Sequence, residues 1–336
     1  MKKFFFSILA VGAIVACTKS EVKYAGETEI AFAPVASTVT KANVLNAIDG
    51  TVYPATETFK VYAYWQLLDA GSDHSAFTDA ADYIAGKEFA KASDGELWRG
   101  ANKPYYWPKT GSMVFACISP NADTQLTNVQ HDVVNDRFSF SYVSPNGGGK
   151  VDPSKTVDIM WTDATASYDE KTASAGVPVT FKHALTWITF KVLGDEVTSG
   201  GNFVINSLTM NKVNIKGNFT SDDRTWNNIS TENSFPVFVG ERNLTTQPAV
   251  IENVDRGTLI IPQVKADSDV TNYTATIEFT NNLGDEVIKE VKTVVLGRGW
   301  EIGKHYTYTI KFTTSEILIE PHMEDWVEVD AGTQVF

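Results

Sequence analysis

Apolar and polar positions alternate with a period of two along most of this chain. In residues 273–279, Tyr273, Ala275, Ile277 and Phe279 fall on one face, and Thr274, Thr276 and Glu278 on the other. Residues 305–312 repeat the design, with Tyr306, Tyr308, Ile310 and Phe312 inward and Thr307, Thr309 and Lys311 outward. Residues 59–65, 137–142 and 188–192 alternate in the same way. Successive strand side chains point to opposite faces, so this period predicts half-buried strands. One dry and one wet face is the mark of antiparallel sheets. The runs are dense in β-branched and aromatic residues, which fit a pleated surface.

Turn residues separate the runs. Asn281-Asn282-Leu283-Gly284 predicts a hairpin between the 273–279 strand and one over 287–295. Glycines at 147–149, at 200–201 and at 297 and 299 punctuate the remainder. Long helical periodicity is nearly absent, and residues 80–90 are the best short helix candidate. Many short strands with regular turns predict an all-β chain of antiparallel β-sandwich architecture. A boundary is expected near 183–186. Residues 178–183 read as the last strand of one sandwich, and residues 187–192 open a second.

Composition supports real cores and narrows the partners. The chain has 336 residues, 43% hydrophobic and 12% aromatic, a length that suggests two domains. Its net charge of −13 argues against nucleic acid, which needs clustered Lys and Arg, and against anionic lipid head groups. Two cysteines, Cys17 and Cys117, exclude a disulfide framework. Cys117 lies in the apolar run 113–118 and reads as a small buried hydrophobe.

The N-terminus carries an address. Lys2 and Lys3 precede an apolar run over 4–15, followed by Ile14-Val15-Ala16-Cys17 and a polar stretch. A basic head, a short apolar body and a small residue before the cut make a secretory signal. The run is too short to span a membrane, which takes about 20 apolar residues. The tetrad ending in Cys17 resembles the lipobox of bacterial lipoproteins. That resemblance implies cleavage after Ala16, acylation of the Cys17 thiol and attachment to a membrane.

Several segments together resemble the fimbrillin family of the Bacteroidetes. They are the lipobox, Glu29-Ile30-Ala31-Phe32 closed by Val39-Thr40-Lys41-Ala42, residues 59–65, 104–108 with 115–120, 181–185, 300–308 and Glu324-Asp325-Trp326. The resemblance implies two tandem transthyretin-like antiparallel β-sandwich domains. On that plan residues 1–16 are the signal peptide, 17–41 the anchor segment and removable first strand, 42–184 the first sandwich and 185–336 the second. It further implies a fimbrial subunit carried to the outer membrane as a lipoprotein. A trypsin-like protease would cut after Lys41, and the first strand, about 29–39 with Ile30 and Phe32 as buried anchors, would leave. Other fimbrial subunits would then fill the groove by β-strand addition. The C-terminal residues Ile317, Ile319, Trp326, Val335 and Phe336 could form the donor. Alternatively the tail pairs within its own domain.

Other chemistry finds little support. The histidines at 74, 131, 183, 305 and 322 are not spaced as metal pairs. Asp222-Asp223 and Asp267-Ser268-Asp269 lack the calcium-loop pattern and read as solvated loops. No nucleophile elbow, phosphate loop or dinucleotide fingerprint occurs, and no enzyme, cofactor or metal is expected. Tyr105, Tyr106 and Trp107, with Trp98 nearby, could stack on a sugar ring. That would make the chain a surface glycan-binding lipoprotein or tip adhesin, although packing into the core is the favoured reading of these aromatics.

Overall fold

The computed structural model describes residues 24–34, 53–67, 81–93, 97–121, 125–147, 149–167, 175–252, 257–266, 268–269, 271–283 and 286–326. These residues form strands along most of their length. β1 (Tyr24–Glu29) and β2 (Phe32–Pro34) come first, then β3 (Thr58–Gln66), β4 (Ala81–Lys91), β5 (Trp98–Gly100), β6 (Tyr106–Pro108) and β7 (Ser112–Ser119). β8 (Leu126–Asp132), β9 (Arg137–Val143), β10 (Asn146–Gly147), β11 (Lys150–Val151), β12 (Met160–Ser167), β13 (Val177–Val179) and β14 (Lys182–His183) follow. The remainder is β15 (Thr186–Gly194), β16 (Phe203–Thr220), β17 (Thr225–Asn243), β18 (Ala249–Val250), β19 (Thr258–Ile260) and β20 (Gln263–Val264), then β21 (Tyr273–Asn281), β22 (Ile288–Gly297), β23 (Gly299–Trp300), β24 (Lys304–Phe312) and β25 (Ile317–Asp325).

Three sheets carry the architecture. The first runs β13-β2-β5-β4-β3-β7-β12-β14. The second runs β10-β11-β17-β16-β21-β22, with β9 joining β16 and β8 joining β9. The third runs β18-β15-β24-β25, with β19 also on β15. β1 with β6 and β20 with β23 make two small pairs.

Burial follows the layers. Ile205, Leu208, Phe235, Ile277 and Phe279 of the second sheet meet Ile188, Phe190, Tyr308 and Ile310 of the third. β7 is buried at all eight positions. Its Met113, Phe115 and Cys117 face a core with Phe32, Phe59 and Phe89. Its Ala116 and Ile118 face another with Phe138, Trp161, Phe219 and Trp326. A strand with dry layers on both sides cannot alternate, which is why 113–118 reads as a continuous apolar run. Cys117 is fully buried, as a small hydrophobe should be.

Some expectations are corrected. Residues 81–90 of the helix candidate are strand, in β4. Val61 pairs with Lys87 and Ala63 with Ile84, so β4 carries an extra residue around Ala85-Gly86. The bulge puts buried Ile84 and Phe89 five residues apart and removes the alternation. Gly86 sits at φ +58°, where a Cβ would stand 3.0 Å from the Tyr62 ring. The first strand begins at Tyr24 and breaks at Ile30-Ala31 before β2, while residues 35–39 lie outside the described residues. The expected hairpin is present as β21 and β22. Strands before and after residues 184–185 share a sheet, since β9 pairs with β16 from Val143↔Lys216 to Ser139↔Thr220.

Candidate functional site

The first strand occupies an interior slot. β2 lies between β13 and β5, parallel to β13 through Phe32↔Val177, Ala33↔Pro178 and Pro34↔Val179. It meets β5 antiparallel at Phe32↔Trp98. Just before β2, the Ile30 amide donates to the Tyr105 carbonyl at 2.7 Å, and the Ala31 carbonyl accepts from Val177 N at 2.8 Å. Gly176, at φ +82°, lets the next strand come this close, because a Cβ there would stand 3.0 Å from Ala33 N.

Side chains anchor the segment as well as its few backbone bonds. Ile30, Ala31 and Phe32 are buried. The Phe32 ring stands edge-on to Phe59 at 5.7 Å, Phe89 at 5.2 Å and Phe115 at 5.3 Å. Such T-shaped pairs add about 0.5–1.5 kcal/mol each beyond area burial. Tyr53 stacks on Phe181 at 4.9 Å and shares a 2.8 Å hydrogen bond with Ser119 Oγ. Burial pushes its hydroxyl well above the ordinary tyrosine range. Trp98 Nε1 donates to the Glu57 carbonyl at 3.1 Å, and burial pushes the Glu57 carboxyl up to about 7. At the outer end Arg99 pairs with Glu29 at 3.4 Å.

The C-terminal segment pairs within the same subunit as far as it is described. β25 runs antiparallel to β24 from Phe312↔Ile317 through Ile310↔Ile319 to Lys304↔Asp325. Ile317 and Ile319 pack against the core between the second and third sheets. Most of the strand's other residues are exposed. Trp326 is then drawn in, with its amide donating to the Gly303 carbonyl at 3.0 Å. Its ring stacks on His183, whose Nδ1 lies 3.0 Å from Asp158. His305 stacks on Trp187 at 3.7 Å and meets Glu324 at 2.9 Å.

The sequence-predicted residues therefore divide into groups. Ile30 and Phe32 meet in the slot, and Ile317, Ile319 and Trp326 are held in cis. Ala16, Cys17, Lys41, Val335 and Phe336 lie outside the described residues. Trp98 and Trp107 are core residues, and Tyr105 stacks on Phe89 at 5.8 Å. Tyr106 is half-buried. Asp223 and Asp269 accept from Thr225 and Thr271 in local turns, and these hydrogen bonds hold both carboxyls below the usual range. Among the described residues no group of three His, Cys, Asp or Glu is placed to hold a metal. Sequence reasoning missed the β13 wall and the Asp158–His183 pair. The Gly176 hinge before Val177-Pro178-Val179 was the available signal for the first.

A family profile described as fimbrillin-like matches residues 55–326. The chain belongs to the fimbrillin-like family, and it is a fimbrial subunit. The fold is shared with solved structures at low identity. A fimbrial protein from Bacteroides vulgatus is 15% identical with a TM-score of 0.60, over 80% of this chain and 93% of that one. A candidate cell adhesion protein from Bacteroides uniformis is 16% identical with a TM-score of 0.50, over 84% of this chain and 97% of that one. No curated protein matches the chain.

Proposed function

We propose that this fimbrial subunit is exported as a lipoprotein on Cys17, is cut after Lys41, and polymerises when a neighbour's strand replaces residues 24–34. The observation that carries the reading is the slot. Ile30 to Phe32 fill an interior position of the first sheet and the centre of an aromatic core. Lys41 falls in the stretch between this segment and Tyr53, so a cut there would leave the segment held by noncovalent contacts alone.

Magnitudes make exchange productive. Burying Ile30 and Phe32 contributes about 3–6 kcal/mol, at roughly 1.5–3 kcal/mol per side chain. A typical domain has only about 5–15 kcal/mol of net stability. An emptied slot would unfold or take another strand, and β-strand addition supplies one with backbone bonds for affinity and alternate side chains for specificity. The role is structural and needs no catalysis by the subunit. Residues beyond Trp326, with Val335 and Phe336 among them, are the proposed donor, while the described β25 and Trp326 stay paired within the subunit. The inward packing of Trp98 and Trp107 leaves only Tyr105 and Tyr106, both partly buried, to support the glycan-binding alternative.

The test is N-terminal sequencing of subunits sheared from the cell surface, with a Lys41→Ala variant beside the wild type. The reading expects a start at Ala42 and loss of polymer in the variant. A polymer of subunits that keep an acylated Cys17, or unchanged polymer in the variant, overturns it.

A further inference from the structure

We propose that β22 is a self-association edge, through which two copies of this chain join by antiparallel pairing about a two-fold axis at Val291. β22 ends the hydrogen-bonded path of the second sheet, and among the described residues no strand pairs with its outer side. An unpaired edge of this length is a template for another strand. Val294 and Leu296 are buried, but Ile288 at 48%, Val291 at 62% and Val295 at 52% are open, as is Val287 just before the strand at 70%. The edge of the third sheet is defended differently. β25 carries Pro321 and three acidic residues, Glu320, Glu324 and Asp325, the usual means of blunting an edge. β22 has no proline, and its charges are Lys289, Glu290 and Lys292.

The sequence of this edge is complementary to itself. Antiparallel pairing centred on Val291 sets Val287 against Val295 of a second copy, Ile288 against Val294, Lys289 against Thr293, Glu290 against Lys292 and Val291 against Val291. Within residues 287–295 every apolar residue meets an apolar one, and the Glu290–Lys292 pair is formed twice by symmetry. Opposed residues share a face in antiparallel sheets. Val287, Val291 and Val295 thus recur on the outer face of both copies, with Lys289 and Thr293 between them, continuing the second sheet through the axis. Glu290 and Lys292 already lie 3.5 Å apart within one copy, so the pairing closes a square of four alternating charges.

The register is also protected. Moving the axis to Glu290 sets Glu290 against its own copy and Ile288 against Lys292. Moving it to Lys292 sets two lysines face to face and buries Glu290 against Val294. Like charges directly opposite are destabilising, so the symmetric registers on either side are penalised. The interface is isologous and closes at two copies. It uses neither residues 24–34 nor Lys41, so it can operate beside strand exchange or without it.

Sedimentation of the full chain and its charge variants tests this. Glu290→Lys alone and Lys292→Glu alone should each weaken the dimer at least tenfold, because each creates two like-charge oppositions. Mixing the two variants should restore it as a heterodimer, and the double variant E290K/K292E should restore the homodimer. A disulfide series reads the register. Val291→Cys should oxidise to a covalent dimer, because directly opposed Cβ atoms lie about 4.5–5.5 Å apart. Val287→Cys should not, since eight residues at about 3.4 Å each separate its copies, yet mixed with Val295→Cys it should cross-link. A chain that stays monomeric at its highest soluble concentration overturns the proposal. So does a double variant as weak as the singles, or a Val287→Cys that cross-links as fast as Val291→Cys. Lys41→Ala should leave all these results unchanged, which separates them from the strand-exchange test.

Discussion

The indole of Trp326 lies flat on the imidazole of His183, with ring centroids 3.6 Å apart and planes 13° from parallel. His183 ends the first sheet on β14, and Trp326 follows β25 of the third. The contact ties the first and third sheets together just after β25. β25 itself buries little beyond Ile317 and Ile319, so Trp326 holds its far end. Trp326→Ala should cost about 3–5 kcal/mol, the range for deleting a buried large aromatic. Denaturant unfolding measures the loss. Limited proteolysis should show β25 cut before the rest of the chain, whereas Trp326→Phe, which keeps a ring over His183, should resist.

Behind that stack, Asp158 and His183 form a pair 3.0 Å apart with side chains only 2% and 1% exposed. Removing one partner of such a pair leaves the other buried without compensation. Asp158→Ala should cost about 3–5 kcal/mol. Asp158→Asn keeps an acceptor toward His183 Nδ1 and should cost clearly less. Equal losses in unfolding experiments would show that the pair's charge, rather than its hydrogen bond, is what matters.

Phe32 makes three edge-to-face contacts, with Phe59, Phe89 and Phe115, at the middle of the first core. Phe32→Ala should lower stability by about 3–5 kcal/mol. Ala33, half-exposed on the same short strand, serves as the control, and Ala33→Ser should change stability by less than about 0.5 kcal/mol. Thermal unfolding of the two variants checks the contrast. A mild effect at Phe32 would mean that the slot's backbone contacts, rather than its aromatic pocket, retain the segment.

The sheet class was legible because most strands have one dry and one wet face. Residues 273–279 and 305–312 became β21 and β24 with their inward residues as read. β4 was misread because a bulge at Ala85-Gly86 erased its period while alanine, lysine and glutamate supplied helix-forming composition. Ile30 and Phe32 were legible as anchors through the fimbrillin resemblance, not through alternation, since Ala31 between them is buried as well. Their partners were not. β13 pairs with β2 from far along the chain, and β9 joins β16 across the expected sandwich boundary. Alternation says which face of a strand is dry and nothing about which strand lies beside it. The β22 edge was hidden for a related reason. Only the sheet order shows that no described strand pairs with its outer side.

Glu252 gives a pH signature with a defined sign. It is held close to β15, where its carboxylate accepts from Phe190 N at 3.3 Å. Burial raises its carboxyl to about 8, against the opposing hydrogen bonds from Phe190, Gly257 and Thr189. In the unfolded chain an exposed glutamate titrates near its ordinary value of about 4.3. Between these two values the folded protein holds a proton that the unfolded chain has lost. Its contribution to stability is therefore complete below about pH 4.3, falls as pH rises, and is gone above about 8. Glu252→Gln removes this titration while keeping a carbonyl acceptor for Phe190 N. The gap between variant and wild type should widen in the variant's favour by about 3–4 kcal/mol from pH 5 to pH 8. Glu57, raised to about 7 by burial, adds a slope of the same sign, but it is present in both proteins and cancels in the difference. Denaturant unfolding at several pH values between 5 and 9 measures that difference. A gap that stays flat with pH would place the Glu252 carboxyl near its ordinary value and remove it as a source of pH dependence.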